Sequence, residues 1–177
     1  METGGRVKES LAQEAHILSP EALLSVLRPR KFALVAASAE GGSELNAFDR
    51  ALLVAGVGNT NLLKVSSILP PGAQHMEHLE IPPGVLLPIA YASICSSEPG
   101  QLISAAVAVG RASPEHYGVI MEYSGPCSAQ EARAQVLRML REGFSHRGLQ
   151  LRQSLVKATE HRVQRIGCAF AAVALWF

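Results

Sequence analysis

The sequence predicts one α+β unit in which helices cover the outer faces of packed sheets. Three observations carry that expectation: many short runs with strand character, two substantial amphipathic helical patterns, and no regular strand–helix alternation of the kind that builds a parallel sheet. At 177 residues and 18.8 kDa the chain has the size of a single compact domain. Hydrophobic residues make up 48% and charged residues 18%, so the chain can bury a core and lacks the composition of a disordered one. A formal net charge of +1 supplies no long-range field toward a phosphate backbone or an anionic membrane. Neither nucleic acid nor membrane is therefore expected as a partner.

The elements follow in chain order. Ser19, Pro20 and Glu21 ahead of ALLSVL have the cap, first-turn proline and early acid of a short helix, which Pro29 ends. Residues 31–38, KFALVAAS, read as a buried strand that stops at Gly41-Gly42. In LNAFDRALLVAG, the spacing of Leu45, Phe48, Leu52 and Ala55 predicts a helix closing at Gly56, with Asn46 and Asp49 near its start. The segment GVGNTNLLKVSSILPPG reads as loop, strand and sharp stop, because a double proline cannot continue a ladder.

VLLPIAYASICS and QLISAAVAVG, joined by SEPG, predict a hairpin, and YGVIMEYS predicts a further strand. SAQEARAQVLRMLREGFSHRG predicts the longest helix: Ser128 and Glu131 stand in capping-box relation, and Ala132, Val136, Leu140 and Phe144 form one stripe. LQLRQSLVKAT and RIGCAFAAVALWF supply two more strands. The second is apolar almost throughout, as a strand covered on both faces would be.

Most simple sites are excluded by spacing. Cys95, Cys127 and Cys168 form no CxxC pair, so they read as reduced thiols and not as zinc ligands or a redox couple. METGGRVKES has no apolar leader core, and residues 167–177 fall short of the ~20 needed to span a bilayer, so a cytoplasmic protein is expected. GVGNTN fails both glycine-rich phosphate-binding patterns and follows a helical run where a strand is required. His75, Glu77 and His78 lack an evident third metal partner and read as a solvated loop; no metal is expected. Arg28, Arg30 and Lys31 have no interleaved aromatics and read as a solvated face.

Ser66-Ser67 would be ordinary polar residues at a strand end were it not for their setting. The run GVGNTNLLKVSSILPPGA resembles the self-processing segment of the pyruvoyl-dependent arginine decarboxylases. The likeness continues through LNAFDRALL, IMEYSGPCSAQEA, Glu160-His161 and GCAFAAVALWF, covering about residues 32–177. Residues 1–30 show no such match and read as an N-terminal extension.

The resemblance implies a four-layer αββα sandwich and a proenzyme that cuts itself between Ser66 and Ser67 into a β chain of residues 1–66 and an α chain of residues 67–177. Ser67 would become a covalent pyruvoyl group, replacing pyridoxal phosphate as the carbonyl that accepts electrons. The implied chemistry begins with the Ser67 hydroxyl attacking the Ser66 carbonyl, where proximity does most of the work. Asn61 would supply an oxyanion donor. Glu122 would donate a proton after carbon dioxide leaves, in a strand setting apolar enough to raise its pKa. Asp49 would accept paired hydrogen bonds from the guanidinium of L-arginine, with Asn46 and Ser66 also lining the pocket.

Self-association as a trimer or hexamer, with each site at a contact between subunits, is implied as well. The expected activity is decarboxylation of L-arginine to agmatine, a carbon–carbon lyase reaction. The alternatives are the same chemistry on another amino acid and a non-catalytic oligomeric ligand-binding homologue.

Overall fold

The computed structural model describes Ser19 and residues 27–177, so the helix expected after Ser19 lies outside the described residues. In chain order the elements are β1 (Lys31–Glu40), α1 (Glu44–Val54), β2 (Asn61–Lys64), β3 (Ile68–Leu69), β4 (Gln74–His75), β5 (Leu86–Ser96), β6 (Leu102–Arg111), β7 (Gly118–Gly125), α2 (Ala129–Ser145), β8 (Gln153–Arg162) and β9 (Gly167–Trp176). They form a five-stranded sheet, ordered β2-β5-β9-β1-β4, and a four-stranded sheet, ordered β3-β7-β6-β8. Alternation along the strands sorts side chains into three apolar layers. Ala169, Ala171 and Val173 of β9 meet Ile103, Ala105 and Val107 of β6 between the sheets. Phe170, Ala172 and Ala174, on the other face of β9, pack under Ala51 and Leu52 of α1. Ala106 and Ala108 of β6 pack under Val136, Leu140 and Phe144 of α2. The result is the expected α+β sandwich, layered helix, sheet, sheet, helix.

Both helix ends follow their local sequence. Ser128 Oγ accepts from the Glu131 N–H while the Glu131 carboxylate accepts from the Ser128 N–H, completing the capping box of α2. At the end of α1, Gly56 has φ of +80°, a conformation glycine adopts without a Cβ penalty. There Gly56 N–H donates to the Leu53 carbonyl and Val57 N–H to the Leu52 carbonyl, the paired bonds of a Schellman motif, with Val57 and Leu52 in one apolar cluster.

Three expectations are corrected. β5 and β6 are not a hairpin: β5 pairs with β9 and β2, β6 pairs with β7 and β8, and the SEPG segment carries the chain from one sheet to the other. Strand periodicity is the same in a hairpin and in such an arch, so only the partner strands distinguish them. Leu45 is 74% exposed; the buried stripe of α1 is Ala47, Ala51 and Leu52. Gln74–His75, expected in a loop, forms a short strand parallel to β1.

Glu160 and His161 tie the layers together. Glu160 accepts from the Ala129 N–H at the start of α2, at 2.7 Å. The His161 ring nitrogen Nε2 lies 2.5 Å from Glu40 at the end of β1. The Glu40 carboxylate also accepts from the backbone N–H groups of Gln164, Arg165 and Ile166, in the turn before β9. Those bonds, the Gln164 N–H foremost and then His161, hold its pKa down at about 2. A carboxyl whose folded pKa lies below its ordinary value of 4.5 contributes its full stabilisation above 4.5 and loses it as pH falls through about 2. Melting temperature measured across that interval should therefore fall more steeply for the native chain than for Glu40→Gln, which starts lower at neutral pH. Parallel curves would remove Glu40 as the acid-sensitive joint.

Candidate active site

The two serines lie where the chain leaves one sheet for the other. Val65 N–H still donates to Ile89 of β5, whereas the Ser67 carbonyl already accepts from Ile120 of β7, at 2.8 Å. Between these anchors, Ile68 N–H donates to the Ser66 carbonyl at 2.8 Å, closing a three-residue turn centred on Ser67. The peptide bond between Ser66 and Ser67 thus belongs to neither ladder, and its carbonyl oxygen already faces a hydrogen-bond donor. Ser66 is exposed and Ser67 half-buried.

Glu122 meets Ser67 from β7. Even-numbered residues of this strand face the interior between the sheets, as Ile120 shows by packing there, while Met121 and Tyr123 face α2. The Ser67 hydroxyl donates to the Glu122 carboxylate, 3.0 Å from Oε2 and 3.3 Å from Oε1. Two residues on, Ser124 Oγ donates across to the Ser93 carbonyl of β5 at 3.1 Å, fixing the sheet separation beside the site. Burial raises the Glu122 carboxyl above its ordinary pKa; the Ser67 hydroxyl bond and the charge of Lys64 offset part of that rise. This is a carboxylate suited to take a proton from a hydroxyl and to return one. Lys64, whose ammonium sits 4.5 Å from the centre of the Tyr91 ring, was not among the sequence candidates. Nor was the Ile68 amide, which as backbone leaves no signature in residue type.

The other candidates stand apart within one chain. Asn61 opens β2, and its side-chain amide donates to the Gly84 carbonyl at 2.7 Å. Four residues, in a chain that rises roughly 3.3 Å per extended residue, lie between it and Ser66. Asn46 is exposed and its side-chain oxygen accepts from Ser43, the N-cap of α1. Asp49 is exposed in the second turn of α1, whose first-turn acid is Glu44. α1 packs on the outer face of the five-stranded sheet and Glu122 faces the inner side of the sandwich, so a sheet lies between Asp49 and the serine pair. Among the described residues, no three His, Cys, Asp or Glu side chains converge as a metal site requires, and no helix is long and apolar enough to cross a membrane.

A serine that donates its hydroxyl to a half-buried glutamate where the chain crosses between the sheets of an αββα sandwich is what defines the class of this protein. Residues 31–177 match the family model described as pyruvoyl-dependent arginine decarboxylase. The chain is similar to the pyruvoyl-dependent arginine decarboxylase of Methanocaldococcus jannaschii, 48% identical over 150 residues, which cover 84% of this chain and 91% of that protein. Its likeness to the enzyme of the same name from Thermococcus kodakarensis is 44% over 155 residues, 87% of this chain and 99% of the relative. The chain belongs to the pyruvoyl-dependent arginine decarboxylase family, and with it to the proteins that use a covalent pyruvoyl group in place of pyridoxal phosphate.

The arrangement separates folding from chemistry at Glu122. Glu122→Gln removes a half-buried charge while keeping shape, so its melting temperature at neutral pH should be no lower than that of the native chain. Chain cleavage, followed by denaturing electrophoresis, should slow by about a hundredfold or more. Cleavage at the native rate would remove Glu122 from the processing step.

Proposed function

We propose that this chain cleaves itself between Ser66 and Ser67 and then decarboxylates L-arginine to agmatine and carbon dioxide. The observation that carries the reading is the Ser67 hydroxyl held on the Glu122 carboxylate beside a carbonyl that belongs to no sheet ladder. In this scheme Glu122 accepts the Ser67 hydroxyl proton as Oγ attacks the Ser66 carbonyl carbon. The C–N bond breaks, an ester forms, and the proton passes to the leaving amine. The Ile68 N–H is the nearest donor for the oxygen that gains charge. β-Elimination then releases Ser66 as a carboxylate, and hydrolysis replaces the Ser67 amine by a ketone, with loss of ammonia.

The pyruvoyl ketone supplies an electron-accepting carbonyl for a substrate amine. The surroundings of Ser67 fit it. No backbone bond from the Ser67 N–H is lost when that nitrogen leaves, because its carbonyl and side chain make the hydrogen bonds found at that residue among the described residues. Glu122, kept close by the Ile120–Ser67 bond, then holds the proton to be delivered to the carbon that has lost its carboxyl. The fragments, residues 1–66 and 67–177, stay associated through the sheet: β1 lies between β9 and β4, and β2 adds to β5.

Substrate choice is assigned to Asp49, as a planar acceptor for a guanidinium, with Asn46 and Ser66 beside it and Asn61 as a further oxyanion donor. Since a sheet separates Asp49 from Ser67 in one chain, Asp49 and Asn46 serve the serine pair of a neighbouring copy in a trimer or a hexamer. Exposed Leu45 and Val54 of α1 supply apolar surface for that contact.

Mixed subunits test both halves of the reading. Ser67→Ala alone should stay as one chain and form no agmatine, and Asp49→Ala should cleave normally yet lose about a hundredfold or more in kcat/KM for arginine. Co-expressed, the two should regain activity, because an intact Ser67 meets an intact Asp49 across the contact. No recovery in verified mixed assemblies would return the whole site to a single chain. Full arginine activity in Asp49→Ala would remove Asp49 from recognition of the guanidinium.

A further inference from the structure

A cavity of about 570 Å³ opens on the edge of the sandwich opposite the serine pair. The serines lie where β2 and β3 form one edge; this cavity lies where β4 and β8 form the other. Its lining includes Phe32, His75, Arg111, Arg152, Gln153 and Ser154. Two of these are guanidinium side chains brought together by the β6–β8 ladder, in which Arg111 pairs with Gln153 and the Arg152 N–H donates to the Arg111 carbonyl at 3.0 Å.

Neither arginine has a carboxylate within ion-pair distance among the described residues, where the ion pairs are His146–Glu142 and His161–Glu40. Arg111 is also fixed in place. Its guanidinium carbon lies 5.0 Å from the centre of the Phe32 ring, and one nitrogen donates to the Ala73 carbonyl. A guanidinium carries five N–H donors in a planar fork, so most of its donors remain for a ligand. Burial lowers its pKa from the ordinary guanidinium value, the mark of a cation partly withdrawn from water without a neutralising partner. Arg152, at the exposed side of the same cavity, is a second cation; like charges repel, and an anion between the two relieves that repulsion.

We propose that this cavity is a binding site for a small organic anion, held through its carboxylate or phosphate oxygens by Arg111 and Arg152. Pockets for small organic ligands run from about 300 to 1,000 Å³, so the volume suits a molecule with a carbon body better than a bare inorganic ion. Phe32 gives the floor an apolar surface, while His75, Gln153 and Ser154 add polar groups at the rim. None of these residues belongs to the serine–glutamate site, so the proposal stands apart from the arginine chemistry.

Titration calorimetry on the full processed protein tests it, with citrate as the carboxylate probe, glycerol 3-phosphate as the organic phosphate probe and inorganic phosphate as the bare anion. At least one organic probe should bind saturably, and which one does so distinguishes the two sources of the oxyanion. Arg152→Gln should weaken that binding by about tenfold, and Arg152→Lys should restore only part of it, because an ammonium lacks the planar fork. Ser154→Trp, which fills the cavity without removing charge, should abolish binding at a near-native melting temperature. The proposal is overturned if neither organic probe saturates, if Arg152→Gln binds as tightly as the native chain, or if inorganic phosphate matches the organic probes.

Discussion

The structure depends on one crossing. Within the stretch from Val65 to Ile68 the chain leaves the edge of the five-stranded sheet and joins the edge of the four-stranded sheet. Backbone N–H and C=O groups in a sheet interior are committed to the ladder, and cutting there would break paired hydrogen bonds. At the crossing the commitment lapses for two residues. The anchors on either side hold the ends of the Ser66–Ser67 peptide and leave the bond itself outside both ladders, as the proposed cleavage requires. Under the proposed cleavage the same anchors would keep both pieces in register, since β1 and β2 are bound along their lengths to strands of what would be the longer piece.

Glu122 gains its properties from the same geometry. A glutamate on an outward strand face would be an ordinary solvated carboxylate. Strand alternation instead places it on the inner face of β7, two residues from buried Ile120 and at the open edge where the Ser67 hydroxyl reaches it. Partial withdrawal from water raises its pKa, and at the edge it stays half-buried and not fully enclosed. α1, by contrast, belongs to the outer layer, so the acid that would read a guanidinium is screened from Ser67 by a sheet. Under the proposed reading, association supplies what the fold of a single chain withholds.

Much of this was legible in residue order. The capping box of α2 and its stripe of Ala132, Val136, Leu140 and Phe144 were readable because both signals are local, set by spacings of three and four. β9 announced its burial on both faces by lacking polar alternation. What needed three dimensions was pairing: β5 and β6 carry the strand pattern of a hairpin yet enter different sheets. Leu45 has the right spacing for a buried stripe but lies on the exposed side of a helix whose inner face is built from Ala47, Ala51 and Leu52. At the site, Ser66-Ser67 and Glu122 were named through resemblance, and the contact between Ser67 and Glu122 is a matter of register between β3 and β7. The Ile68 amide and the presence of Arg111 and Arg152 at one cavity have no local signature, being products of backbone geometry and of the β6–β8 ladder.

The central claim is that residue 67 ends as a ketone which captures the amine of arginine. Borohydride reduction of active protein in the presence of isotope-labelled arginine, followed by peptide mass analysis, tests it directly. The account predicts label covalently attached to the first residue of the 67–177 fragment, in proportion to the activity lost. Active protein in which that residue stays unlabelled, or carries a free serine amine, would contradict it.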